Sequence, residues 1–302
     1  MIIGAGLSGL IAAFVFPTET IVEAAPRPQQ SHKALLRFRT NKISDLTGIP
    51  FREVTVRKGI YYGGTFVKPC IAIANMHSVK CMGSRLLGDR SIWNIDTVQR
   101  FIAPEDFYQQ LVRIMESRIE WDIKVDFRKL QMDTAIYTAP VISTAPLHLT
   151  LKALGIETAQ QFARAPITVQ RFRVPNCDVH QTIYFPTRLH TLYRASITGD
   201  LMICEHIGSP AGDYISELFE SFSLPDTVDE LEAVEQQYGK IVPIDERERK
   251  QLIYRLSMKH NLFSLGRFAV WKNLLLDDVL EDAFIVKKLM RASPYEQFKA
   301  QL

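Results

Sequence analysis

The chain begins MIIGAGLSGL, and the spacing of Gly4, Gly6 and Gly9 constrains its fold more than any other stretch. Met1, Ile2 and Ile3 supply the end of a strand. Gly4 permits a tight turn, Gly6 leaves room beside the backbone, and Gly9 lets a helix pack closely on a sheet. Leu7, Leu10, Ile11 and Phe14 recur at helical spacing. Pro17 ends that helix early. Thr20, Ile21 and Val22 read as a second short strand, and Glu23 closes it 19 residues after Gly4. Strand, glycine turn, helix, strand and terminal acid in that order make a dinucleotide-binding unit. The helix N-terminus directs free N–H groups at a pyrophosphate, and the acid accepts from ribose hydroxyls. The ordered set outweighs the alternative, a chance glycine turn followed by a solvated Glu23. An acid suits the unphosphorylated ribose of both FAD and NAD, so the turn alone does not choose between them.

A length of 302 residues allows two compact lobes, or one domain with a large insertion. Hydrophobic residues at 47% and charged residues at 23% are ordinary for a globular protein. A net charge of +3 does not by itself point to nucleic acid. Cys70, Cys81, Cys177 and Cys204 stand far apart with no CxxC pair, which argues against a zinc site or a redox dithiol. They read as buried free thiols in a reducing compartment. His77, His180, His190 and His206 lack metal-ligand spacing, so no metal is expected. No apolar run reaches spanning length, so no membrane partner is expected. The N-terminus lacks the basic region of a signal peptide, and a cytoplasmic location follows as the expectation.

The rest of the chain alternates between β-rich and helical stretches. Arg52–Ile60 reads as a strand, Tyr61–Gly64 as a turn, and Thr65–Ala74 as a returning strand. Pro104 opens a helix carrying Phe107, Leu111, Ile114 and Met115 on one face. Ile119–Phe127 and Ala135–Thr144 read as strands, and residues 166–207 as several antiparallel strands. Ala211–Phe222, Thr227–Gln237 (with Thr227 as cap), 245–258 and 277–291 read as helices. No internal repeat is present.

Three separated segments resemble the group of FAD-dependent flavoproteins that contains amine oxidases, protoporphyrinogen oxidase and UDP-galactopyranose mutase. They are IIGAGLSGLIAA with Glu23, VISTAPLHLTLKALGI at 141–156, and LGRFAVWKN at 265–273 followed by Leu276-Asp277-Asp278. TIYFPTRLHTLYRAS at 182–196 is similar to a strand pair of the mutase branch's substrate lobe. The resemblance implies FAD as cofactor. It implies an α/β fold: a Rossmann-like FAD-binding domain made of 1–45, 100–150 and 260–302, with an inserted α+β substrate domain made of 46–99 and 151–259. The chain departs from the group where EAAPRPQQSHKALLRFRT replaces the double glycine that often follows the ribose acid.

By that resemblance, Gly4, Gly6, Gly9, Glu23, Val125, Thr144, Gly266 and Arg267 are placed at the cofactor, and Arg37 and Arg39 take over part of the missing phosphate or flavin contacts. Arg267 reads alternatively as a surface salt bridge. Trp271 is read as a wall of the substrate pocket or as core. Lys272 holds a flavin-linked water or a substrate carboxylate, or is a solvated charge. Tyr193 and Arg194 are adjacent on a strand, so their side chains should point to opposite faces. Arg194 suits a carboxylate or phosphate. Arg37 and Arg39 share a strand face if extended and make an anion site. His32 is an acid–base candidate or a structural histidine.

The leading expectation is an FAD enzyme that oxidises the C–N bond of an amine or amino-acid-like small molecule. A second is mutase-type chemistry on a nucleotide sugar without net redox. A third is a compact viral flavoenzyme, lyase or oxidase, acting in host cytoplasm on amino-acid-modified thymine in DNA. The basic stretch Lys33–Lys42 is compatible with that third reading. A flavin-binding protein that has lost catalysis is the non-enzymatic alternative.

Overall fold

The computed structural model describes residues 1–28, 36–83, 92–128, 139–225 and 228–291. Its first sheet is wholly parallel, with strand order β12-β8-β1-β2-β7. These strands are β1 (Ile2–Ile3), β2 (Ile21–Val22), β7 (Ile119–Glu120), β8 (Val141–Ser143) and β12 (Leu262–Ser264). β1, β2 and β12 are buried throughout, as a parallel sheet covered by helices requires. The covering helices are α1 (Leu7–Val15), α4 (Phe107–Met115) and α8 (Leu276–Leu289). Leu10 and Ile11 of α1, Phe107 and Leu111 of α4, and Val279 and Ala283 of α8 meet in one core with Ile2 and Ile21.

The second sheet runs β10-β9-β4-β6-β3, with β11 on the far side of β9 and β5 on β4. Its strands are β3 (Arg37–Phe38), β4 (Arg52–Tyr62), β5 (Thr65–Phe66), β6 (Val98–Ile102), β9 (Arg164–Tyr184), β10 (Leu192–Ile207) and β11 (Asp229–Ile241). Pairing is antiparallel except between β4 and β9. One face is sealed by α6 (Ile215–Phe222). Leu218 and Phe219 of that helix pack with Tyr61, Ile183, Ala195 and Ile197.

β10 does not run straight. Residues 11 apart on an extended strand lie about 36 Å from one another. Yet Tyr193 and Arg194 both hydrogen-bond Glu205, and the Ile207 N–H donates to the Thr191 carbonyl at 3.1 Å. The strand folds back through bulges around Gly199, whose φ of 64° is the left-handed conformation glycine tolerates.

Several elements differ from expectation. The strand expected over Thr65–Ala74 stops at Phe66, and α3 (Ile71–Met82) follows, burying Ile73, Ala74, Ser78 and Cys81 at helical spacing. The helix expected over Thr227–Gln237 is strand β11, and Thr227 lies outside the described residues. The open side of β9 decides this: Arg171 of β9 pairs with Glu232 at 2.8 Å, and Gln170 with Glu230 at 3.2 Å. Tertiary pairing outweighs the helical preference of the Glu and Gln residues there. The strand expected over Ile119–Phe127 ends at Glu120. α2 (Lys42–Thr47) and β12 fall where no element was expected, α5 (Leu147–Ala153) follows β8, and α7 (Glu246–His260) falls close to expectation. β3, within the segment expected to join the cofactor domain, pairs in the second sheet. Cys70 is exposed and Cys177 half-buried, so only Cys81 and Cys204 match the expected buried thiols.

Candidate functional site

The glycine turn lies between β1 and α1, at the centre of the parallel sheet. Gly4 has φ 100°, and its N–H donates to the Val22 carbonyl at 2.8 Å. A Cβ on Gly4 would stand 2.3 Å from Thr144 Oγ1, and one on Gly9 would stand 1.9 Å from the Gly4 carbonyl oxygen. Both positions are closed by their neighbours. A Cβ on Gly6 would meet nothing within 4 Å, so this side of the turn is open. Gly6 is also the N-cap of α1, which has no side-chain cap and no acidic residue in its first turn. The leading amides are therefore left for an anion.

Two later segments converge on this turn. Thr144 follows β8, and its Oγ1 donates to the Ile3 carbonyl at 2.8 Å. Gly266 follows β12, and a Cβ there would lie 2.6 Å from Ser8 Oγ. Glu23 ends β2, and its carboxylate accepts from Ala5 N at 2.7 Å and Ala25 N at 2.9 Å. Ionised carboxylate oxygens have capacity beyond these two bonds. Ile123 N–H donates to the Glu23 carbonyl at 2.9 Å, so the segment leading to half-buried Val125 runs beside the acid.

Other candidates are placed differently. Arg267 Nη2 donates to Asn273 Oδ1 at 3.0 Å, and its guanidinium lies 5.6 Å from the Phe268 ring centroid. Trp271 is 1% exposed, packs edge-on to Phe162 and His148, and donates through Nε1 to the Val242 carbonyl at 3.0 Å. It is core, which corrects the pocket-wall reading. Lys272 is exposed, and its backbone N–H bonds the Arg267 carbonyl at 3.0 Å. Arg39 does not join Arg37 in an anion site: its side chain pairs with Asp278, and its N–H donates to Asp277 at 3.1 Å. His32 lies outside the described residues.

The other face of the second sheet is polar around Lys58, Thr182 and Ser196, and Ile73 and Ala74 of α3 cover it at Ile60 and Tyr184. Lys58, Thr182 and Ser196 stand in register on β4, β9 and β10, and so do Ile60, Tyr184 and Arg194. Register partners and residues two apart share a face. Thr182 and Ser196 hydroxyls are 3.0 Å apart, and Arg37 Nη1 donates to Thr182. Burial, then Arg194, lowers the Arg37 pKa to about 10. Burial, then Arg100, lowers Lys58, and burial, then Arg52 and Arg37, lowers His180. Burial opposes the charge of Arg194, but Glu205 overcomes it and raises that pKa. Tyr193, raised by burial and then by Glu205, also donates to Glu205. Tyr193 and Arg194 were expected to diverge, and the fold-back of β10 brings both to one carboxylate.

Sequence reasoning missed Glu205, Lys58, Arg100 and Thr182. Glu205 had a signal: it is a carboxylate inside the apolar run LMICEHI, and charged residues are seldom buried without partners. A cleft of about 950 Å³ opens elsewhere, among Tyr62, Met76, Leu189 and Glu217, and includes no residue of the glycine turn. Among the described residues, no group of three or more His, Cys, Asp or Glu is placed to hold a metal ion, and no helix is long and apolar enough to cross a membrane.

The open side at Gly6, the uncapped helix start and the carboxylate of Glu23 together fit a dinucleotide. No protein-family model matches the chain, and no curated protein matches it in sequence. In structure it is similar to reduced UDP-galactopyranose mutase over 94% of this chain and 90% of that one, with TM-score 0.66 and 12% identity. It is similar to the flavin-dependent brominase Bmp2 over 99% of this chain and 82% of that one, with TM-score 0.56 and 10% identity. It is also similar to the rebeccamycin biosynthetic enzyme RebC with reduced flavin, with TM-score 0.56 and 11% identity; there it covers 96% of itself but only 59% of that chain. The chain therefore has a fold of the kind found in the mutase and in these flavin proteins: a parallel, helix-covered α/β unit joined to a second, mainly antiparallel sheet.

Proposed function

We propose that the chain is an FAD-dependent enzyme acting on a small molecule. The observation that carries this reading is the convergence of two remote segments, at Thr144 and Gly266, on one glycine turn that is open at Gly6. The α1 N-terminus and Gly6 would hold the pyrophosphate, and Glu23 would hold the ribose. Thr144 and Gly266 close the turn from the other sides. Likeness to the mutase, RebC and the brominase supports flavin rather than nicotinamide as the group that fits there.

For the reaction, we propose oxidation of a C–N bond in an amino-acid-like substrate. FAD, when bound, would supply a two-electron acceptor, to which the substrate would lose a hydride from carbon while a proton leaves nitrogen, giving an imine. The protein's part is to seat the substrate and exclude water, and the described polar face of the second sheet suits the first task. Mutase-type chemistry without net redox is the second reading. It is favoured by the likeness to the mutase over nearly the whole of both chains.

The test is the visible spectrum of the purified chain reconstituted with FAD, followed by anaerobic addition of amines, amino acids and amino-acid-modified nucleosides. Flavin bands that bleach with one class support oxidation of that class. Bands that bleach only with dithionite, with turnover of a nucleotide sugar after reduction, support the mutase reading. Absence of flavin binding overturns both.

A further inference from the structure

Among the described residues of the second sheet, Arg37 is a cation that its surroundings leave partly unmet. Arg37 on β3 spends Nη1 on the Thr182 hydroxyl. Its Nε and Nη2 are closed off from solvent and have no hydrogen-bond partner among the described residues. A guanidinium carries five N–H donors, and burying them unpaired is costly. At a pKa of about 10, Arg37 is still charged at neutral pH.

Among the described residues, no carboxylate hydrogen-bonds it. The nearby acid, Glu205, is committed to Arg194, at 3.0 Å from Nε, and to the Tyr193 hydroxyl. The other charges that act on Arg37 and its neighbours are mostly positive: Arg194, Arg100, Lys58 and Arg52 on β10, β6 and β4. Asp96 offsets Lys58 only in part. On the opposite face Tyr61 and Ile183 pack under α6 and Phe38 packs on Phe107, so the face that carries Thr182 is the one left for a ligand of Arg37.

We infer that Arg37 seats the acidic group of the substrate, a carboxylate or a phosphate, with Lys58 and Thr182 beside it. Nε and Nη2 form the side-on fork of a guanidinium, and two parallel N–H donors match two oxygens of either anion. The surrounding cations draw an anion in and repel a bare amine. The unpaired donors are a cost in the ligand-free protein that binding removes. Nε and Nη2 are buried in the ligand-free protein, so presenting the fork requires a side-chain rearrangement at Arg37, and such changes are common on binding. This inference rests on the enzyme reading above for the word substrate, but the seat itself does not need flavin.

The test follows thermal unfolding of the wild type, Arg37→Met and Arg37→Lys, with and without FAD, as sodium acetate or inorganic phosphate is added at constant ionic strength. An anion at about ten times its Kd should raise the wild-type Tm by about 3 °C. Arg37→Met should respond by less than about 1 °C, while its ligand-free Tm equals or exceeds that of the wild type. Arg37→Lys keeps the charge but loses the fork, and should bind at least about tenfold more weakly. A response to acetate alone assigns a carboxylate, and a response to phosphate alone assigns a phosphate. No wild-type response, or an equal response in Arg37→Met, overturns the seat. Failure of both variants to fold makes Arg37 structural and also overturns it. A tenfold loss of FAD affinity in Arg37→Met with the anion response intact gives the fork to the cofactor instead. If no form binds FAD, the enzyme reading fails, and the flavin-free arm still decides the seat.

Discussion

The glycine turn and the polar face of the second sheet are built on opposite principles. The turn is made of backbone: N–H groups, a carbonyl, and positions where a methyl group has no room. Its charge comes from a helix end and from Glu23. The polar face is made of long side chains from four strands, gathered around the hydroxyls of Thr182 and Ser196 and the carboxylate of Glu205. The comparison teaches that a backbone site concentrates its requirements in a few neighbouring glycines. A side-chain site distributes them over residues 37 to 205 and depends on strand register.

The largest expected effect falls on the side-chain site. Glu205→Ala should cost about 4 kcal/mol of unfolding free energy, since it strands the buried Tyr193 hydroxyl and leaves Arg194 without its partner. Urea unfolding measures it, and a loss under 1 kcal/mol would show that the face tolerates an open charge. Next comes acid sensitivity at His206, which is fully buried and whose pKa is lowered to about 4 by burial, then by His190 and Lys80. Its folded pKa lies below the ordinary 6.5, so its contribution is full above about pH 6.5 and is lost as pH falls towards 4. The loss is roughly 3 kcal/mol, and a His206→Gln variant should show a flatter acid limb in unfolding curves taken between these values.

Smaller effects separate fold from cofactor at the turn. Gly9→Ala forces a methyl group against the Gly4 carbonyl and should cost about 2 kcal/mol together with FAD binding. Gly6→Ala has open space, so stability should change by less than about 0.5 kcal/mol while FAD affinity falls at least about tenfold. Fluorescence quenching of added FAD reads the affinities. If both variants bind flavin like the wild type, the turn is not a dinucleotide site.

Legibility in the sequence follows the same division. The βαβ unit could be read directly, because Gly4, Gly6, Gly9 and Glu23 sit within 23 residues and local geometry sets their relations. Thr144 and Gly266 were found through family resemblance, and the structure sets both against the turn. Trp271 could not be assigned, since a tryptophan in a pocket wall and one in a core look alike in sequence; its packing on Phe162 and His148 decides for core. Arg37 and Arg39 looked equivalent, yet one reaches Thr182 and the other Asp278. β11 was misread because its charged residues favour a helix until β9 offers a pairing edge.

By itself, the sequence determined where the chain turns tightly, where it buries apolar strands, and that an acid closes the first βαβ unit. Those properties depend on steric freedom and hydrophobic spacing over a few residues. Only the tertiary structure decided that β10 folds back to set Tyr193 and Arg194 on Glu205, and that two buried donors of Arg37 have no partner among the described residues. Such features arise from contacts between residues far apart in sequence, and their energies depend on burial and on neighbouring charge, which no local pattern encodes.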